Sequence, residues 1–221
     1  NDRLDIEAVD LADPTVFKLF QRGETRGVFQ FESGGMQDLL MKMVPDRIED
    51  LIAANALYRP GPMELIPTYC ARKHGREKVP EVHPIMDAIL KETYGIMVYQ
   101  EQVMQIFNQL GGIELSNAYK LIKAISKKTV DVIAKFKPDF IKGVMDKGVP
   151  REKADEIFDF ILKFGGYGFN KSHSTRYAVV AFQTAYMKTY HPVEYMTAVL
   201  TFEMGDTTKM VEYIDECRRM T

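Results

Sequence analysis

Three settings in this sequence have the residue types and spacing to handle phosphate. Lys120, Lys123 and Lys127 stand three and four residues apart, so on a helix they share one face. Like charges at that spacing repel by about 0.2–0.5 kcal/mol per pair, and an anion such as phosphate relieves the strain. An ordinary solvated face has the same pattern. The second setting is the run Gly165 to Ser174, which nearly spells Gly-x-x-x-x-Gly-Lys-Ser, with Asn170 in place of the second glycine. Asn visits left-handed backbone, so that exchange alone is tolerable. The context is not: a P-loop follows a strand, and here a helix is expected to end near Phe164. A Walker-type site is therefore rejected.

The physics beneath the motif survives. Gly166 and Gly168 loosen a backbone that leads into a helix start, where free amides and the helix dipole favour an anion. Asn170, Lys171, Ser172 and His173 add donors. The plainer alternative is a glycine-ended helix followed by a Ser-capped one, with Lys171 in solvent. The third setting is Arg59, in Tyr58-Arg59-Pro60-Gly61-Pro62, where two prolines stiffen the turn and fix a guanidinium in place.

Other chemistries fail on spacing. Ser172-His173-Ser174 is no nucleophile system, because neighbours at one helix start do not easily meet. His74 and His83 lack partners for zinc. No Asp-x-Asp occurs, and Glu101 and Asp139 are isolated, so no two-metal centre is expected. Met97, Tyr99, Met104 and Phe107 read as helix core rather than a stacking platform.

The elements that must position these residues read as mainly helical, with little strand, confined to the N-terminal part. Val103, Ile106, Phe107 and Leu110 follow helical spacing, and Gly111-Gly112 supply a stop. Ser116 is expected to cap a helix with the stripe Ala118, Leu121, Ile122 and Ile125. A further helix starts near Thr129, with Pro138 as a break or kink. Pro150 opens another, with Ala154, Ile157, Phe158 and Ile161 inward. Residues 174–190 form a deeply buried helix ended by His191-Pro192. Two more follow over 192–203 and 206–219, the last capped by Asp206. The first 70 residues are less regular, and Arg26–Glu32 reads as a short strand or extended linker.

Composition sets the frame. With 46% hydrophobic residues among 221, a core forms without staples. Cys70 and Cys217 show no paired spacing, which suits a reducing, cytoplasmic setting. No apolar run reaches the length of about 18 residues needed to span a membrane. The start, Asn1-Asp2-Arg3-Leu4-Asp5, has no signal-peptide character and no Met, and reads as cut from something longer. The net charge of -2 argues against a protein that coats DNA, yet residues 118–147 hold eight lysines against three aspartates. One anion-facing surface on an acidic body fits that segregation.

Longer blocks then carry a resemblance. Gly27-Val28-Phe29-Gln30-Phe31-Glu32-Ser33, Ala56-Leu57-Tyr58-Arg59-Pro60-Gly61-Pro62 and Arg72-Lys73-His74-Gly75 are similar to the C-family bacterial replicative DNA polymerases. So are Thr93 to Met104 and Gly166 to Ser174, in the same order, from about residue 5 to the C-terminus. The resemblance implies a fingers domain over 1–221, with 1–70 the palm-proximal part and 71–221 the helical part. Palm, N-terminal phosphoesterase-like and C-terminal regions are expected to lie outside. The implied role is to help bind deoxynucleoside triphosphate and template–primer DNA. Magnesium would be held by three palm aspartates, and the other holoenzyme subunits would bind through the absent regions. The chain alone would bind no metal and be inactive.

The family's basic pair and the Gly-Lys-Lys after it map onto Ile122-Lys123-Ala124-Ile125-Ser126-Lys127-Lys128. Ile122 replaces an Arg and Ser126 a Gly, which weakens the triphosphate contact at 122. The nucleotide and phosphate candidates are Lys123, Lys127, Lys128, Lys171, Arg59, Asn170, Ser172 and His173, supported by Gln100, Gly166 and Gly168. His173 is also a candidate proton donor to pyrophosphate. A stand-alone, non-catalytic helical nucleic-acid-binding module is the competing reading.

Overall fold

The computed structural model describes residues 4–165 and 168–220. Regular structure among them is helical: α1 (Pro14–Gln21), α2 (Gly34–Met43), α3 (Ile48–Leu57), α4 (Ile66–Lys73), α5 (Pro84–Leu90), α6 (Gln100–Gln105), α7 (Leu115–Ser126), α8 (Val130–Met145), α9 (Arg151–Gly165), α10 (Lys171–Tyr190), α11 (Pro192–Phe202) and α12 (Thr207–Met220). The mainly helical expectation holds. Among the described residues the β pairing is one isolated parallel bridge, Tyr99 with Phe169. No helix among them is long and apolar enough to cross a membrane. Two compact units divide the chain: one runs to Asn55 and resumes at His173, and the other is Ala56–Ser172.

In the first unit, α1 starts where Asp13 accepts from the amides of Thr15 and Val16, with Pro14 at the first helical position. Phe17 and Phe20 pack on Phe182 of α10, with ring centroids 5.2 and 6.3 Å apart, and Phe20 meets Phe31 edge-on at 5.7 Å. The segment Arg26–Glu32 is neither strand nor extended linker. It is a pair of tight turns, in which the Val28 amide donates to Thr25 and the Phe31 amide to Val28. Gly27 and Gln30 both take positive φ and curl the chain. Val28 and Phe31, three residues apart, are the buried pair, while Phe29 and Gln30 face out. The spacing of the buried pair is that of a turn rather than of a strand.

Lys188 fastens those turns. Its ammonium is 1% exposed and donates to the carbonyls of Glu24 and Arg26 at 2.7 and 2.8 Å and to Glu216 Oε1 at 2.6 Å. Burial pushes its pKa down, and the Glu216 carboxylate opposes that shift. Tyr213 and the Gly27 amide both donate to Glu32 Oε2, and Tyr195 donates to the Gly27 carbonyl.

The second unit is built on one apolar cluster from α5 through α9. The stripe of α7 is Ala118, Leu121, Ile122, Ala124 and Ile125, all buried. The helix begins one residue before Ser116, at Leu115. Ser116 therefore sits exposed in its first turn rather than capping it, and Glu114 precedes the helix. Phe107, Phe140 and Phe158 form an aromatic triad with centroids 5.3–6.4 Å apart. Pro138 neither breaks nor ends α8. It is exposed, and so is Ala134 four residues earlier, so water can satisfy the carbonyl that loses its donor. The buried stripe Phe140, Ile141 and Val144 holds the helix together across the proline.

The helix expected over 103–110 passes from α6 into a π-helical turn at Ile106–Leu110 before stopping. Gly112 takes the left-handed conformation of that stop, with φ +69. Gly111 has another task. A Cβ there would strike the Phe140 ring, and a Cβ on Gly143 would fall on the Gly111 carbonyl. The two backbones touch.

The buried pair in the first unit generates a test. Lys188→Met removes a fully enclosed ammonium and leaves Glu216 short of a partner. It is expected to cost about 3–5 kcal/mol in urea unfolding followed by circular dichroism. An unchanged midpoint would mean that the pair does not hold the turns.

Candidate phosphate-binding site

The site candidates of the second unit sit on a framework centred on Gln102. Its carboxamide oxygen accepts from the amides of Val98 and Tyr99, both at 3.0 Å, and its nitrogen donates to Thr93 Oγ1 at 2.8 Å. Thr93 Oγ1 in turn donates to the Ile96 carbonyl at 2.6 Å. Thr93 and Gln102 are both buried, so these bonds form away from competing water. They fix the loop from Thr93 to Tyr99, and with it the N-terminus of α6.

That loop receives the start of α10. The Phe169 amide donates to the Val98 carbonyl and the Gln100 amide donates to the Phe169 carbonyl, each at 2.9 Å. Gly168 lies so close that a Cβ would sit 3.1 Å from the Gln100 nitrogen. Glu101, one residue into α6, reaches across. Its Oε2 accepts from the Lys171 amide at 2.9 Å and its Oε1 from Asn170 Nδ2 at 3.1 Å. The helix start that favours an anion thus has one from its own chain.

The cations beside it are also engaged. Lys171 Nζ is 2.8 Å from Glu92 Oε2 and 5.3 Å from the centroid of the Tyr99 ring. The Arg59 guanidinium lies 4.2 Å over the Phe169 ring, and its Nε donates to the Ala56 carbonyl at 3.0 Å. Burial pushes its pKa down from the ordinary value. Gly61, at φ +97, makes the turn that returns the chain beneath it.

Helix α7 has a different electrostatic character. Of the eight lysines between 118 and 147, only Lys137 has a carboxylate within 4 Å among the described residues. Asp155 and Asp159 hold it, and their hydrogen bonds raise its pKa. Lys123, Lys127 and Lys128 are exposed with no such partner, and Lys120 donates only to Asn117. Ile122, where the resemblance expects an arginine, is 2% exposed and packs in the core. That position supplies packing rather than charge.

The end of α7 is a Schellman turn. The Thr129 amide donates to the Ala124 carbonyl at 2.8 Å and the Lys128 amide to Ile125 at 3.0 Å. The residue between helix and exit must be left-handed, and it is Lys128, at φ +54. Glycine is the ordinary occupant, since a side chain there costs about 1–2 kcal/mol.

Within the second unit, then, Arg59, Gln100, Gly168, Asn170 and Lys171 come together, with Gln100 and Gly168 contributing backbone. Lys123 stands on α7 and Lys127 and Lys128 at its C-terminal exit, and α7 packs against the α6 that carries Glu101. Ser172 is exposed on the first turn of α10. His173 belongs to the first unit, where its ring lies 4.3 Å from that of Tyr177. Gly166 lies outside the described residues. Glu92 and Phe169 were not singled out by sequence, Tyr99 only as helix core although it is a buried residue just before α6, and Glu101 only as an isolated carboxylate. Pairing between residues about 70 apart leaves no local signal. Glu92 is paired with Lys171, and Glu101 with Asn170 and the Lys171 amide. No group of three or more potential metal ligands occurs among the described residues.

The chain matches the bacterial DNA polymerase III alpha subunit finger domain over residues 1–148, which includes α7. It is 47% identical over 222 residues to the DNA polymerase III subunit alpha of Thermus aquaticus, which covers 98% of this chain and 18% of that protein. It is 50% identical over 220 residues to the protein of the same name from Xylella fastidiosa strain 9a5c, covering 99% and 18%. The Escherichia coli K12 protein of that name is 46% identical over 224 residues, covering 98% and 19%. The chain thus spans under a fifth of the length of these relatives.

The strained exit of α7 makes a prediction. Lys128→Gly is expected to raise the unfolding free energy by about 0.5–1 kcal/mol, the relieved strain less the added entropy of the unfolded chain. Chemical denaturation of the two proteins side by side checks it, and a loss of stability would contradict the reading of the turn.

Proposed function

The chain belongs to the bacterial DNA polymerase III alpha subunit finger domain family, and from that premise we propose that α7 and the start of α10 form a phosphate-contacting surface of a replicative polymerase. The surface helps hold an incoming deoxynucleoside triphosphate and template–primer DNA during template-directed synthesis. One observation carries the reading: Lys123, Lys127 and Lys128 stand exposed without a carboxylate, while Lys137 and Lys171 are neutralised by their own chain. Exposed, uncompensated ammonium groups are poised to trade water for phosphate.

The two groups have different tasks. The lysines of α7 are the direct contacts, acting as point charges rather than as a bidentate fork. Lys171 and Arg59 are partly committed, so a phosphate reaching Lys171 competes with Glu92. Asn170 and Gln100 hold the loop through Glu101 and the Phe169 bridge, and Ser172 offers a donor at the exposed start of α10. Such residues contribute by positioning and by stabilising charge. The magnesium that phosphoryl transfer requires, and the carboxylates that hold it, belong to other parts of such a polymerase, as do contacts to further holoenzyme subunits.

The test is single-nucleotide incorporation by a full-length polymerase carrying this chain. Lys123→Ala is expected to lower kcat/KM for the nucleotide about 10- to 100-fold, corresponding to about 1.4–2.8 kcal/mol. Lys171→Ala should cost less, because Glu92 already screens that charge. Unchanged KM and kcat in both variants would refute the assignment.

A further inference from the structure

The lysine face of α7 also displays a ring. Tyr119 is 48% exposed, and Lys123 Nζ lies 4.4 Å from its ring centroid. Leu115, Tyr119, Lys123 and Lys127 stand four residues apart along one ridge, each step about 6 Å of rise. Lys120, the next residue, is exposed and donates to Asn117 Oδ1 at 3.3 Å. Tyr119 is the one aromatic ring on this ridge, and lysines follow it on the next two turns. A basic ridge interrupted by an aromatic surface is the pattern that binds unpaired nucleic acid, with phosphates on ammonium groups and a base on the ring.

We propose that Tyr119 is a stacking platform for an unpaired base of a single DNA strand whose phosphates run along Lys120, Lys123 and Lys127. The inference rests on the phosphate reading of α7 and adds a base contact to it. Lys123 over the ring limits its motion, so little conformational freedom is lost when a base arrives. In a duplex the bases are stacked inside and the ring finds no face to cover, so the platform selects unpaired strand. The free base of a nucleoside triphosphate offers the same chemistry, and the experiment separates the two sources.

Binding of the 221-residue chain to fluorescein-labelled oligo-dT is followed by anisotropy, with circular dichroism confirming that each variant keeps its helices. Tyr119→Ala should weaken oligo-dT binding about 5- to 100-fold. Tyr119→Phe, which keeps the ring, should bind as the parent does. On an abasic strand of equal length, Tyr119→Ala and the parent should bind alike. Because the sequence has no tryptophan, Tyr119→Trp creates a lone reporter, and oligo-dT should quench its emission while the abasic strand does not.

If Lys123→Ala weakens binding and flattens its salt dependence while Tyr119→Ala changes nothing, the platform is overturned and the phosphate reading stands. If neither variant alters binding, both fail. Quenching by dTTP without quenching by oligo-dT assigns the ring to free nucleotide and overturns the strand. Equal losses by Tyr119→Ala on duplex and on single strand overturn the selection for unpaired bases.

Discussion

A single carboxylate decides where α10 begins. Glu101 sits one residue into α6, yet it takes the first amide of α10 and the side chain of the residue before it. Without that cap the helix start would have free donors and no fixed neighbour. The Tyr99–Phe169 bridge holds the preceding residue, but only along the backbone direction. Glu101 itself is placed by the bonds of Gln102 to Thr93, Val98 and Tyr99, all inside the core. Arg59 over Phe169 and Lys171 on Glu92 depend on the same anchorage, because both reach for a loop that would otherwise have no defined position.

This arrangement separates two kinds of cation that look alike in a sequence. Lys171 and Lys137 are bound to the protein's own carboxylates, so much of their charge is spent internally. The lysines of α7 are not, and their repulsion is borne by a helix whose other side is well packed. The contrast also explains how a chain of net charge -2 can present a basic surface: carboxylates neutralise particular bases such as Lys137 and Lys171 and leave the other lysines between 118 and 147 without one among the described residues.

Much of this was legible beforehand, for local reasons. The stripe of α7 and the inward face of α9 follow from apolar residues three and four apart, a signal that survives without tertiary context. Lys123 and Lys127 share a face for the same reason. The deep all-round burial expected of α10 is not found: Ala178, Ala181, Phe182 and Ala185 are buried and Tyr177, Val179 and Val180 are half-buried. The curl at Arg26–Glu32 does not show in the sequence, because it rests on the left-handed backbone of Gly27 and Gln30 and not on any apolar period. Pro138 looked like a break because a missing donor is visible in sequence and an exposed position is not. The Glu101 cap was illegible altogether, since a carboxylate capping a helix 70 residues away writes nothing into either segment.

The touching backbones of Gly111 and Gly143 have a consequence for how this fold can change over time. A methyl group at either position would push α8 away from the π-helical turn, and α8 also carries Phe140 into the aromatic triad. Each glycine is therefore required where it stands, and neither can gain a side chain unless α8 and the π-helical turn move apart. Elsewhere on α7 and α8 the lysines can drift in number and order without disturbing the packing. The unit divides its sequence into an exposed surface that tolerates exchange and a narrow backbone crossing that does not.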